Sequence, residues 1–205
     1  LENIAPTKSN LMSAESSLEF SQKGYELLDK KRNVLIREMM SYVERAEELQ
    51  NRTNKVFQAA YDALRKANIT VGISMVEDVA LAISKAVDYE VLFRSVMGVE
   101  IPNVSFQKKG IEPQYSFYGS NTALDLTYEK FNEVKYLIYE LAEIENAIFR
   151  LAVEIKKTQK RANALENIQI PKFRYLIKNI RDVLEEKDRE DFFRLKVVKK
   201  KKSNF

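Results

Sequence analysis

Two stretches of this chain carry apolar residues at alternating intervals of three and four, and that spacing limits the fold more than any other feature. In the first, about Thr7 to Asn68, it picks out Leu11, Ala14, Leu18, Tyr25, Leu28, Leu35, Met39, Tyr42, Ala46, Leu49, Val56, Ala60, Ala63 and Ala67. Ser21, Arg32 and Thr53 are its polar exceptions. In the second, from about Asn121 to the C-terminus, it picks out Val134, Leu137, Leu141, Ile144, Ile148, Leu151, Ile155, Ala162, Leu165, Phe173, Leu176, Ile180 and Val183, with Thr158 and Gln169 polar. A helix packed into a globule shows a broader stripe of period 3.6. A narrow seam held at period 3.5 needs a partner helix wound around it with left-handed sense. The expected fold is therefore all-α: a long antiparallel two-helix left-handed coiled coil formed by the N- and C-terminal helices, with a small middle segment.

Three segments follow: 1–69 as the N-terminal coiled-coil helix, 70–120 as the middle segment, and 121–205 as the C-terminal coiled-coil helix. Pro6-Thr7 suits a helix start, and Asn68 to Gly72 suits a stop. Pro171 removes a backbone donor and is expected to kink or break the C-terminal helix. Pairing residue i with residue 190 − i sets Tyr25 against Leu165, Leu28 against Ala162, Leu35 against Ile155, Met39 against Leu151 and Leu49 against Leu141. It also sets Ser21 against Gln169 and Arg32 against Thr158, polar beside polar, which costs less than polar beside Leu. At about 1.5 Å per residue a helix of about sixty residues is about 90 Å long, a rod with little room for a central cavity.

The middle segment reads differently. Ser74 to Ala86 fits a short amphipathic helix. Tyr89, Val91 and Phe93 alternate with Glu90 and Arg94, and Val99-Glu100-Ile101-Pro102 follows Met97-Gly98, which reads as a small β-hairpin turning near Gly98. Lys108 to Gly119, with Gly110 and Pro113, reads as a loop.

Composition narrows the chemistry. Among 205 residues there is no Cys, His or Trp, which removes thiolate nucleophiles, disulfides, and the commonest general base and metal ligand. Five Gly and four Pro favour long helices. No phosphate-cradling glycine motif occurs, so no ATP binding by this chain, no cofactor and no metal are expected. The paired carboxylates Glu47-Glu48, Glu143 with Glu145, and Glu185-Glu186 read as solvated helix faces. The net charge of +4 owes much to Arg194, Lys196 and Lys199 to Lys202. Leu1 to Asn10 lacks an apolar leader core, and Val71 to Val87 is too short and polar to span a bilayer, so a soluble cytoplasmic chain is expected.

Several blocks resemble one family. They are Pro6-Thr7-Lys8, Gly24-Tyr25-Glu26-Leu27-Leu28, Lys30 to Leu35, and Val96 to Pro102. In the C-terminal stretch they are Leu141-Ala142-Glu143-Ile144-Glu145, Leu151 to Thr158, Lys160 to Glu166, Ile168-Gln169-Ile170-Pro171 and Arg189 to Lys196. In order and spacing they resemble the D subunits of the V-type/A-type ATPase family. The family has a richer arginine run where this chain has Gln159-Lys160-Arg161, and an aromatic residue where Asn167 stands. The resemblance implies a non-catalytic central-stalk rotor part that carries torque between ATP turnover in a hexamer and ion translocation in the membrane ring. Its implied partners are the catalytic A and nucleotide-binding B subunits, the small F subunit, and a funnel-shaped adaptor on the membrane ring. It implies a place peripheral to the membrane, in the soluble sector of the motor.

On that basis Arg32, Lys160, Arg161 and Arg194 are expected to face the hexamer, and Val91, Phe93, Met97 and Ile101 to meet the foot or the F subunit. A second reading of Arg32 makes it a snorkelling side chain that sets register. The expected seam is Leu18, Tyr25, Leu28, Leu35, Met39, Leu49, Leu141, Ile144, Ile148, Leu151, Ile155 and Leu165. Two other functions fit the pattern: a coiled-coil adaptor outside any motor, and a helical hairpin that binds nucleic acid through its basic tail.

Overall fold

A computed structural model describes residues 5–83, 89–108, 115–116 and 118–202, with backbone only at 201 and 202. The elements are α1 (Lys8–Thr70), α2 (Ile73–Ala82), β1 (Tyr89–Val96), β2 (Val99–Phe106), α3 (Thr122–Ala164), a π-helical turn (Leu165–Gln169) and α4 (Ile170–Lys202). The last residues of the expected Ser74–Ala86 helix, and Gly110 and Pro113 of the expected loop, lie outside the described residues. The chain forms two compact units, one of Leu1–Asn33 with Lys156–Phe205 and one of Val34–Ile155.

Thr7 starts α1. Its Oγ1 accepts the Asn10 backbone N–H at 3.2 Å and its carbonyl accepts that of Leu11 at 2.9 Å, which satisfies donors a helix start leaves orphaned. The helix stops at Thr70, and Gly72 follows with φ +94°, a conformation L side chains rarely adopt. Asn121 starts α3 in the same way, its Oδ1 accepting the Leu124 N–H at 3.1 Å. Its Nδ2 donates to Thr70 Oγ1 at 2.9 Å, so the end of one helix and the start of the other are tied by one side chain.

In the unit of Leu1–Asn33 with Lys156–Phe205, α1 runs against the C-terminal helices in antiparallel sense. Leu165 lies beside Gly24, Gln159 beside Arg32, and Arg181 reaches Glu15 at 2.8 Å. In the unit of Val34–Ile155, Tyr61 meets Phe131 edge to face at 5.9 Å, and Thr70 meets Asn121. Its main core joins Leu35, Tyr42, Ile144, Ala147 and Leu151 with Val99 and Ile101 of the hairpin, while Met39, Ala46, Leu49, Ile148 and Ile155 pack on it. Against the expected register, Gly24 with Leu165, Arg32 with Gln159, Tyr61 with Phe131 and Thr70 with Asn121 sit within about two residues, whereas Glu15 with Arg181, past the π turn, sits about six residues away. A second small core joins Val79, Tyr115 and Leu124, where burial and the Asp125 carboxylate push the Tyr115 phenol up.

The most buried column of α1 changes along its length. Ala14, Ser21, Leu35 and Tyr42 belong to one column of the three-and-four pattern, and Thr53, Ala60 and Ala67 to the other. An α-helix of 3.6 residues per turn slides by about 20° per heptad against a strict seven-residue repeat, so the buried stripe passes from one column to its neighbour.

Pro171 does not end the C-terminal helix. Without an N–H it leaves a carbonyl one turn back unpaired, and its ring would crowd the Asn167 carbonyl in a regular α turn. The chain widens into the π turn instead, and the Ile170 N–H donates to the Leu165 carbonyl, five residues back. A π turn holds one extra residue, so the buried stripe steps from half-buried Leu165 to buried Ile170. Gln169, expected in the seam opposite Ser21, is exposed for that reason.

Leu151 is fully buried in the main core, whereas Val153, two residues on, is 51% exposed. Leu151→Ala is expected to lower stability by about 3 kcal/mol, through lost burial and the cavity left behind. Val153→Ala is expected to change it by less than about 0.5 kcal/mol. Chemical denaturation followed by helical circular dichroism measures both.

Candidate functional site

The hairpin presents exposed apolar side chains, Val91, Leu92, Phe93 and Met97, close to charged ones. β1 and β2 pair antiparallel with Val96 opposite Val99, which leaves Met97-Gly98 as a two-residue turn. Met97 has φ +51° and Gly98 φ +79°. Such turns match the twist of the strands but need positive φ at both central residues, where Asn-Gly is favoured. A Met in that region is strained, and it is also half exposed to solvent.

One face of the hairpin near the turn is core. Val99 and Ile101 pack with Leu35, Tyr42 and Leu151, and Val96 leans on the same cluster. Beside them Arg94 donates to Glu38 Oε1 at 2.7 Å and to Tyr42 Oη at 3.3 Å. The opposite face and the outer edge of β2 meet α3. Val104 donates its backbone N–H to Glu143 Oε2 at 2.7 Å, and Arg150 Nη1 donates to the Glu100 carbonyl at 3.0 Å. Arg150 also lies over the Phe93 ring at 5.4 Å. Tyr89 packs on Tyr139 at 5.1 Å, and Phe106 stacks on Tyr136 at 5.4 Å. An open groove of about 350 Å³ runs here, lined mainly by Val91, Phe93, Pro102, Val104, Tyr139 and Arg150.

The second constellation lies in the other unit, around Arg32. Its guanidinium donates to Gln159 Oε1 at 2.6 Å and bridges Asp29 at 2.5 Å. Gln159 in turn donates to Asn163 Oδ1 at 2.6 Å. Close by, the Glu166 carboxylate raises the Tyr25 phenol above its usual value, with desolvation adding to the effect. Thr158, next to Gln159 in sequence, is buried. Of these contacts the Arg32–Gln159 bond crosses between helices and so depends on their offset, while Asp29 and Asn163 hold its two ends in place from within their own helices.

Among the described residues there is no group of three or more His, Cys, Asp or Glu able to hold a metal ion. Nor is any described helix long and apolar enough to cross a membrane. The family model for the D subunit of ATP synthases matches residues 10–200. This chain belongs to that D-subunit family. The D subunit of the V-type ATP synthase of Thermotoga neapolitana is 43% identical over 97% of this chain and 98% of its own length. The D subunit of the A-type ATP synthase of Thermococcus kodakarensis is 38% identical over 97% of this chain and 94% of its own length. That of Pyrococcus furiosus is 35% identical over 96% and 93%.

For a member of the D-subunit family, the side chains expected from sequence fall into three groups. Every expected seam residue is at least half-buried: Leu35, Ile144 and Leu151 are buried, and Leu18, Tyr25, Leu28, Met39, Leu49, Leu141, Ile148, Ile155 and Leu165 are half-buried. Lys160, Arg161 and Arg194 are exposed, with Arg194 bridging Glu190 and Asp191 at 3.5 Å. Arg32 is half-buried and engaged by Asp29 and Gln159. Of the expected partner contacts, Val91, Phe93 and Met97 are exposed, but Ile101 is 1% exposed and belongs to the core. The pairing Arg94 opposite Ile101 places Ile101 on the face turned to the main core, so it has no surface to offer a partner.

Two side chains that hold the hairpin escape sequence reasoning. Glu143 reads there as a solvated carboxylate, and no pattern selects Arg150. Nothing local marks either one, because their partners are backbone groups of β2, more than thirty residues away.

Ile101→Ala is expected to cost about 3 kcal/mol and Phe93→Ala under about 1 kcal/mol in denaturant unfolding. Met97→Asn, which relieves the left-handed strain, is expected to raise the unfolding midpoint slightly.

Proposed function

We propose that the chain is the central-stalk shaft of a V/A-type rotary ATPase, carrying torque between ATP turnover in an A–B hexamer and ion translocation in the membrane ring, with no catalytic step of its own. The observation that supports this most is the antiparallel pairing of α1 with the C-terminal helices within each compact unit, in a chain whose relatives are named as D subunits of ATP synthases.

A shaft must resist twist. Side chains such as Leu35 and Leu151 sit among residues of the opposing helix, and a close-packed interior transmits strain rather than absorbing it. The Arg32 network adds register, so torque does not slide one helix along the other. We assign Arg32 to this role and leave the hexamer-facing role to Lys160, Arg161 and Arg194. A shaft must also let go. Exposed Lys and Arg suit contacts remade at each step, because exposed ion pairs contribute only about 0–1 kcal/mol each. A single asymmetric shaft inside the hexamer touches its A–B pairs unequally and so biases each toward a different conformation and nucleotide affinity.

The hairpin is the proposed contact for the F subunit or for the funnel-shaped adaptor at the foot. The support is physical: Val91, Phe93 and Met97 are exposed apolar side chains on a hairpin anchored by Ile101, and Met97 holds a strained turn. Strain kept at an exposed tip points to a role outside the fold.

The decisive experiment is reconstitution. Mixing the chain with purified A–B hexamer and the F subunit is expected to give a defined complex whose ATP turnover drives rotation. Neutralising Lys160, Arg161 and Arg194 together is expected to reduce turnover or rotation severalfold while leaving helicity intact. Unchanged rotation in that variant rejects the residue assignment, and failure to form any complex rejects the shaft reading.

A further inference from the structure

The hairpin has two outer edges, and the fold treats them differently. Because the Val104 N–H points out of the ladder to Glu143, the outward-facing backbone groups are those of Glu100, Pro102, Val104 and Phe106 on β2. The register then sets Tyr89, Val91, Phe93 and Ser95 outward on β1. On β2 part of this set is dealt with: Arg150 takes the Glu100 carbonyl, Pro102 has no N–H to offer, and Glu143 takes the Val104 N–H. On β1 no third strand pairs with them among the described residues, and Tyr89 to Ser95 are all exposed. An open edge rich in apolar residues is a template for another strand.

The side chains of β1 specify which strand. An added strand must put apolar residues beside Val91 and Phe93, a cation beside Glu90 and an acceptor within reach of Arg94, whose Nη2 is held by Glu38 and Tyr42 and whose Nη1 and Nε are, among the described residues, the donors left for it. We infer that β1 pairs with β1 of a second copy of this chain, antiparallel and centred on Leu92, joining two hairpins into one four-stranded sheet. In that register Glu90 lies opposite the other copy's Arg94, Val91 opposite its Phe93, and Leu92 opposite its Leu92. The outward groups match as well: Val91 and Phe93 of the two copies exchange N–H to carbonyl bonds, as a hydrogen-bonded antiparallel pair requires. The charges are complementary in this register and clash when the two strands run parallel in step, so orientation is fixed by Glu90 and Arg94. The pairing needs only the hairpin and its free edge, and because it covers Val91 and Phe93 it must be given up wherever those side chains meet another subunit. Where the chain serves as a single axle, the pair is its form before assembly.

Sedimentation equilibrium of the free full-length chain is expected to show a dimer that dissociates on dilution. Val91→Pro removes an outward N–H that the β1–β2 ladder does not use, and is expected to give monomer with unchanged helicity. Glu90→Arg and Arg94→Glu are each expected to weaken the dimer by about tenfold or more, through like charges placed opposite one another. An equal mixture of the two is expected to restore it, because each cation then faces an anion. A wild-type chain that stays monomeric at all concentrations overturns the inference, and so does a dimer that survives Val91→Pro. If that variant loses helicity, the mixture decides alone: no recovery of dimer rejects the pairing.

Discussion

Everything in each unit depends on one narrow stripe of side chains being hidden from water. A lone helix with this composition would be marginal, because helix propensity alone seldom holds a helix against the cost of ordering it. Removing Leu35, Ile144 and Leu151 from water supplies what propensity does not, at roughly 1.5–3 kcal/mol per buried large side chain. The stripe is narrow, so only another helix covers it, and that helix must follow the same seven-residue rhythm. In the unit of Val34–Ile155 the pairing partner and its direction follow from this requirement together with the short distance between Thr70 and Asn121.

Polar residues inside the stripe decide the register. An all-apolar seam shifts by a heptad at small cost, because Leu meets Leu again. Arg32 and Gln159 meet across the two helices at one offset only, with Asp29 and Asn163 fixing their side chains from within each helix. Thr53 adds a cost without an evident return, since its Oγ1 is buried with no partner among the described residues. Such groups lower stability relative to apolar ones and raise uniqueness.

The helices are legible in the sequence because heptad spacing is a local, repeated signal. The hairpin is legible through alternation on either side of Met97-Gly98. The π turn is not. Pro171 announces a disturbance, but whether a helix breaks or takes in an extra residue depends on packing on both sides, as at Leu165 and Ile170. Ile101 is misread for a related reason. Both faces of the hairpin carry apolar residues, so alternation does not tell which face docks; only the contact with Leu35, Tyr42 and Leu151 does. The Glu143 and Arg150 anchors join distant backbone to helix side chains, a kind of contact that leaves no periodic trace.

The hairpin shows how a two-stranded sheet persists on a helical scaffold. An isolated hairpin is marginal in water. Here three supports act from different directions: Ile101 and Val99 are buried from one face, Arg94 is tied to Glu38, and β2 is pinned along its edge by Glu143 and Arg150. All three leave the outer edge of β1 untouched. Had the fold required only a stable hairpin, the simplest sequence would place Asn at Met97 and charges at Val91 and Phe93, as edge strands usually do. The chain keeps a strained Met at the tip and apolar residues along the open edge. Both choices cost stability or solubility in the free chain, so the hairpin's inner face, with Ile101 and Val99, belongs to the core that joins the helices, while its tip and open edge add nothing to that core.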